Sequence, residues 1–295
     1  FDDEVSRYMF YRNFYDPYGR EWQNGNSRWD IIDLVRACYA LRPEGIEWPL
    51  REDGSPSFKL ELLTAANGID HGQAHDALAD VRATIALARL IKEKQPKLFD
   101  YAFSLRQKAQ VIKQINLQQL TPLVHVSSKI PASQGCCTWI LPVAQHPTNP
   151  NAIICVDLSK DPGVILSENA ETLRSLLYAR QESFEEGQQR PGIKLIHINR
   201  SPFITTAKAL TEDNADRLGL DRAQCLENYK RLAEDTAWRD TLIELYNEPH
   251  EDSEVDADHA LYSGGFLTNE EKHWCDDVRQ AEPEQLSVLA GRMQN

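Results

Sequence analysis

The sequence predicts an α/β fold, α+β for the segment as it stands, built from three consecutive parts. Three observations predict it. Apolar residues recur at helical intervals through the first third. Short β-branched runs punctuated by Pro and Gly fill the middle. Helical spacing returns from about residue 211. At 295 residues the chain exceeds what one small core organises. The parts are read as residues 1–95, 96–247 and 248–295.

In the first part, Ser27 and Asp30 form a capping-box-like start to a helix carrying Ile31, Ile32, Val35 and Cys38. Phe58 to Ala66 is a second helix, stopped by Asn67-Gly68, residues that tolerate a left-handed backbone. A third runs from about Asp76 to Lys94, with Leu78, Val81, Ile85 and Ala88 as its apolar stripe and Gln95-Pro96 as its end. A linker helix follows near Phe99–Ile115. Four strands are expected at 123–126, 138–141, 153–156 and 193–198, forming a small antiparallel barrel or sandwich interrupted by a helix at about Ala170–Ala179. Helices are expected again at Arg222–Leu232 and Trp238–Tyr246, and the acidic stretch 248–258 reads as a solvated loop.

The net charge of -13 is unusual for a chain that binds a polyanion, but it is unevenly spread. Residues 1–95 carry -4, residues 96–205 carry +3, and residues 206–295 carry -12. A local basic path is compatible with overall acidity. No run of about 18 apolar residues occurs, so no spanning helix is expected. The six cysteines contain no CxxC pair, which argues against a zinc site or a disulfide framework and for reduced thiols in the cytoplasm. A chain opening on Phe1 with two acids behind it reads as a truncated or processed start.

The sharpest local pattern is His75-Asp76-Ala77-Leu78-Ala79-Asp80. Five residues on a helix rotate by about 500°, which leaves His75 and Asp80 about 140° apart. They share a site only if His75 lies on the turn before the helix, a turn that Gly72 and Gln73 favour. There, an imidazole near solvent suits a general base, and a carboxylate on a rigid helix suits a metal ligand. Taken alone, the six residues read equally as a helix start with solvated acids. Phe1-Asp2-Asp3-Glu4 alone reads as a negatively charged first helical turn.

Together these motifs resemble the DEDDh branch of the DnaQ-like exonuclease superfamily, with its ribonuclease H-like fold. Phe1-Asp2 matches the end of the second family motif, and His75 to Asp80 matches the third. The first motif, Asp-x-Glu on a strand, is expected upstream of Phe1. Longer segments are more specific. FDDEVSRYMFYRNFYDPY, NSRWDIIDLVRACYALRPEGIEWP, PSFKLELLTAANGI, HDALADV and KQPKLFDYAF are similar to the exodeoxyribonuclease I family of gammaproteobacterial type. PLVHVSS, NAIICVDLS, KLIHINRSP, ADRLGL and LYSGGF follow in the same order. The likeness fades after about Glu282.

The resemblance implies part of an exonuclease domain over residues 1–95, a linker helix and SH3-like β-barrel over 96–247, and the start of a C-terminal helical domain over 248–295. It implies 3′-to-5′ hydrolysis of single-stranded DNA to 5′-mononucleotides, in DNA repair and recombination, with two Mg²⁺ ions or Mn²⁺ as an alternative. Asp2 and Asp80 would be the metal-associated carboxylates, and His75 the base. The strand would run past cations and aromatics. Those favoured are Arg7, Tyr18, Trp22 and Arg36, with Phe58 and Lys59 at the terminal nucleotide and Lys108 farther along. The family commonly has Arg where Lys59 stands, and Lys lacks the bidentate fork. The barrel would close over the groove. The implied partner besides DNA is single-stranded DNA-binding protein, and the implied state a cytoplasmic monomer. His125, His146 and His197, in or near β segments, read as structural.

Two other readings stand beside this one. The piece as given, lacking the first motif, is expected to be inactive, which would leave a single-stranded DNA-binding fragment. A related exonuclease directed at RNA is the other, though small RNA exonucleases of this superfamily usually lack a barrel-bearing middle region.

Overall fold

The computed structural model describes residues 2–70, 77–184, 189–247, 256–263 and 265–293. The helices are α1 (Asp2–Arg12), α2 (Gly19–Trp22), α3 (Ile32–Leu41), α4 (Leu60–Ala66), α5 (Ala77–Lys94), α6 (Pro96–Ser104) and α7 (Lys108–Ile112). They continue as α8 (Gly163–Ser167), α9 (Ala170–Tyr178), α10 (Glu212–Arg217), α11 (Arg222–Glu234), α12 (Trp238–Leu245), α13 (Asn269–Gln280) and α14 (Leu286–Met293). The strands are β1 (Leu123–Val126), β2 (Cys137–Gln145), β3 (Ala152–Asp157), β4 (Ile193–His197) and β5 (Phe203–Thr206). The chain divides into two compact units, Trp29–Glu248 and Phe1–Arg28 with Pro249–Asn295.

The larger unit is built on one antiparallel sheet in the order β4-β3-β2-β1-β5. Residues of β1 and β3 are buried along their whole length, and those of β2 up to Ala144. This explains why they read as unbroken apolar runs rather than as alternating ones. Helix α3 packs against β1, β2 and β5, and α12 packs against β2 and α9. The register of β2 on β3 slips between Pro142 and Ala144, which is where a proline without an N–H is tolerated in a central strand. The Val143 carbonyl released by this bulge accepts from Arg239 Nε at 2.9 Å. The strand β5 escaped sequence reading. Its four residues sit directly behind Ser201-Pro202, and only pairing with β1 holds them extended.

Three local expectations are corrected. The helix expected from Ser27 begins at Ile32, and Asp30 instead accepts from the Ile32 N–H at 2.9 Å in a turn. The linker helix is two helices, α6 and α7, with a turn between them. On α5 the expected stripe faces out, with Leu78, Val81 and Ile85 about half exposed. Ala83, Leu87 and Ile91 carry the buried face instead. The helix has two apolar faces, and α4 and α6 cover the second. Most of the acidic stretch 248–258 lies outside the described residues. All six cysteines are free thiols.

In the smaller unit Tyr8 of α1 packs edge-on against Tyr262, with ring centroids 5.9 Å apart. Arg12 donates to the Asp258 carbonyl at 3.0 Å. Helix α13 starts with a full capping box between Thr268 and Glu271.

Candidate functional site

The most distinctive surface feature of the larger unit is a basic cleft of about 570 Å³. Four cations line it (Arg36, Arg51, Lys59 and Lys129), and no carboxylate does. In a chain of net charge -13 that exclusion is informative. Three elements supply the walls. Helix α3 supplies Arg36, the segment before α4 supplies Arg51, Phe58 and Lys59, and the turn between β1 and β2 supplies Lys129 and Cys136.

Each side chain is held for a local reason. Arg36 Nη1 donates to Asp33 Oδ1 at 2.7 Å across one helical turn. Its Nε is buried without a protein acceptor. Burial pushes the Asp33 carboxyl above its ordinary range, and the hydrogen bond from Arg36 opposes that rise. Phe58 meets Tyr39 and Trp48 edge-on at 5.7 and 6.4 Å, so its ring is fixed while it remains half-buried. Trp48 is anchored in turn by its Nε1, which donates to the Pro43 carbonyl at 2.9 Å. Lys59 precedes α4 and its carbonyl accepts from Leu63 at 3.0 Å, which directs the backbone into the helix and leaves the ammonium exposed. Cys136 has a left-handed backbone, φ 55°, directly after Gly135 at φ 60°. Burial raises its thiol pKa, with the Arg36 charge opposing the rise.

Of the residues expected to contact a strand, the structure thus brings Arg36, Phe58 and Lys59 together. Lys108 does not line this cleft, and its Nζ donates to Asn151 Oδ1 at 2.6 Å. In the smaller unit Arg7 makes a two-pronged ion pair with Glu21, both contacts 2.8 Å, and lies 5.2 Å from the Tyr18 ring centre. Trp22 is 62% exposed. Trp29 serves packing, edge-on to Phe99 and Phe103. Arg51 and Lys129 were not singled out from the sequence. The Asp53-Gly54 turn, which folds Arg51 back towards Phe58, is a signal that points to the first, and nothing local marks the second.

The proposed catalytic set is only partly described. His75 and the side chain of Asp2 lie outside the described residues. Asp80 is half-buried in the first turn of α5. A carboxylate on a rigid helix is a suitable oxygen donor for a hard cation. Among the described residues no group of three or more His, Cys, Asp or Glu is arranged to hold a metal. Asp3 is ion-paired with Arg20 at 3.0 Å and Arg28 at 2.6 Å.

Two histidines of the larger unit, His125 and His146, have structural partners. Buried His125 places Nδ1 3.0 Å from the Phe203 carbonyl, and desolvation pushes its pKa down to about 4. His146 Nδ1 accepts from the Asn149 N–H at 3.1 Å, and its ring packs on Tyr246.

Comparisons with known proteins bear on the family and the fold. Residues 1–88 match the family model described as Exonuclease, and residues 106–248 match the Exonuclease I SH3-like domain. The chain is 48% identical over 288 residues to exodeoxyribonuclease I of Haemophilus influenzae, covering 97% of this chain and 61% of that protein. It is 36% identical to exodeoxyribonuclease I of Buchnera aphidicola subsp. Acyrthosiphon pisum, covering 96% and 67%. Among solved structures it resembles Escherichia coli exonuclease I in complex with a dA16 oligonucleotide. That match has a TM-score of 0.93 and 46% identity, over 98% of this chain and 61% of that one. A zinc-bound form of the E. coli enzyme with single-stranded DNA matches with TM-score 0.91, at 46% identity over 98% and 61%. A crystal structure of SSB/exonuclease I in complex with inhibitor CFAM matches with TM-score 0.84, at 46% identity over 98% and 60%. The chain thus spans about three fifths of the length of the first of these relatives. With both family models matched along it and a 36% identical relative covered over 67% of its length, the chain belongs to the exodeoxyribonuclease I family.

Proposed function

We propose that this chain is the strand-holding part of a 3′-to-5′ exonuclease that hydrolyses single-stranded DNA to 5′-mononucleotides in repair and recombination. The observation that carries the reading is the cleft, where four cations and a fixed aromatic ring meet with no carboxylate. Cations track a phosphate backbone and an aromatic face stacks on any base. Phe58 provides that face for the terminal nucleotide, with Lys59 and Arg36 on its phosphates. The relatives solved with single-stranded DNA support the same substrate.

The proposed cofactor is a divalent cation, Mg²⁺ by preference with Mn²⁺ as alternative, held by Asp80 and Asp2. The ion pairs of Asp3 with Arg20 and Arg28 favour Asp2 over its neighbour as the second carboxylate. When bound, the cations supply Lewis-acid activation of water and charge stabilisation at the leaving oxygen. His75 is proposed to accept the proton of that water on its ring nitrogen. Trp22, Arg7 and Tyr18, in the smaller unit, are proposed to contact the strand. Lys108 is proposed to grip phosphate farther along. The proposed protein partner is single-stranded DNA-binding protein, in the cytoplasm, with this protein as a monomer. Residues 1–95, 96–247 and 248–295 remain the proposed domain division.

The test is a 5′-labelled single strand incubated with Mg²⁺. The full-length protein shortens the DNA from its 3′ end and leaves RNA of the same sequence intact. The 295-residue chain alone binds the DNA without shortening it. A full-length protein that binds without turnover reduces the function to strand binding, and equal attack on RNA moves the reading to an RNA-directed enzyme.

A further inference from the structure

Two of the four cleft cations, Arg51 and Lys129, have no task in the proposed function above. Arg51 and Lys129 are exposed, and among the described residues no carboxylate lies within ion-pair distance of either. Arg36, by contrast, is tied to Asp33. Hydrogen bonds from Ser55 hold the Asp53 carboxyl below its ordinary pKa range, and the Arg51 charge adds to this at longer range. Both cations stand on ordered turns. Arg51 opens a tight turn closed by its own N–H to the Ser55 carbonyl at 2.8 Å and by Gly54 N–H to its carbonyl at 3.0 Å. Asp53 locks that turn by accepting from the Ser55 N–H and hydroxyl at 2.9 and 2.6 Å. Lys129 sits in the turn after β1, where the Ile130 N–H reaches the Ser127 carbonyl at 3.1 Å. The two turns belong to segments nearly eighty positions apart in sequence, yet they line the same cavity. Exposed like charges so placed repel one another and lower the stability of the empty cleft. An anion lying between them removes that repulsion.

We propose that Arg51 and Lys129 form a two-walled phosphate grip on the DNA strand, beyond the contacts made by Arg36, Phe58 and Lys59. The proposal rests on the single-strand reading above. As flexible cations on fixed turns they act on backbone phosphate and not on base edges, so they add affinity without sequence preference.

The experiment measures binding of fluorescein-labelled dT and dA oligonucleotides across a salt series. It compares the 295-residue chain, the pair Arg51→Gln with Lys129→Gln, and a control pair of exposed cations outside the cleft, Lys113→Gln with Lys208→Gln. Each phosphate contact on a single strand contributes about 0.7 to the slope of log K against log salt. The grip variant therefore loses about 1.4 from that slope and binds roughly 25-fold more weakly at 0.1 M salt. The loss is equal on dT and dA. If the wild-type chain binds but the grip variant behaves like the control pair, the grip is wrong and the strand reading stands. If the loss falls on one base only, the contact is to base edges and the grip is wrong as stated. If the wild-type chain shows no salt-dependent binding of either oligonucleotide, the strand reading fails and the grip fails with it.

Discussion

Arg36 Nη1 lies 2.7 Å from Asp33 Oδ1, one turn earlier on α3, and this pair fixes a guanidinium at the edge of the basic cleft. The pair has a structural and a binding role that can be separated. Arg36→Met leaves Asp33 without its hydrogen-bond donor, so it is expected to cost about 1–3 kcal/mol of stability as well as DNA affinity. Arg36→Lys keeps the charge but not the fork, and is expected to weaken binding with a smaller stability cost. Burial raises the Asp33 pKa above its unfolded value, so its contribution is complete at acid pH and is lost as pH rises through the folded pKa. Without Arg36 to oppose burial that window widens upward. Denaturation curves of the Met variant at several pH values are expected to show a larger loss of stability with rising pH than wild type.

Phe58 tests the stacking role. Base–aromatic stacking contributes about 1–3 kcal/mol per base on alanine substitution, or roughly 5- to 150-fold in affinity. Alanine would also open the cluster with Tyr39 and Trp48. Phe58→Leu retains most of the apolar volume and is expected to hold stability within about 1.5 kcal/mol. Anisotropy titrations with oligo-dT should therefore show clear weakening for the Leu variant at near-wild-type Tm. Unchanged affinity would remove Phe58 from the interface.

His125 makes stability depend on pH in the mildly acid range. Its folded pKa is pushed down to about 4 from an ordinary value near 6.5. The unfolded chain binds the extra proton first, so this contribution is present above about pH 6.5 and disappears as pH falls towards 4. The loss is on the order of 3 kcal/mol. His125→Gln is expected to flatten urea-unfolding stability between those pH values, and an unchanged pH profile would contradict the assignment.

Gly135 shapes the turn that presents Cys136 to the cleft. Its φ is +60°, and an added Cβ would lie 2.4 Å from Leu218 Cδ2. Gly135→Ala carries a left-handed backbone penalty of about 1–2 kcal/mol in addition to the clash. Thermal melts are expected to show a lower Tm, partly recovered in a Gly135→Ala, Leu218→Ala double variant relative to Leu218→Ala alone.

The sequence made the larger elements legible because their burial writes itself into periodicity. The runs at 123–126 and 153–156 are apolar on both faces because the sheet is covered on both sides. Two kinds of feature were hidden. One is orientation: α5 carries two apolar faces, and spacing alone does not say which one packs. The other is convergence. Arg36, Phe58 and Lys59 were legible as motif neighbours, but Lys129 reaches the same cavity only through the packing of α3 against the sheet. The β5 strand and the turn at Asp30 show the same limit, since tertiary pairing decides short segments.

The most direct test of the central claim is photocrosslinking with a single strand carrying 5-iododeoxyuridine at its 3′ end, followed by tryptic mapping. Phe58 lies in the tryptic peptide Glu52–Lys59, between cleavage after Arg51 and cleavage after Lys59. The account predicts the dominant adduct in that peptide, lost on competition with unlabelled strand. Dominant adducts on other peptides, with none in residues 52–59, would contradict it.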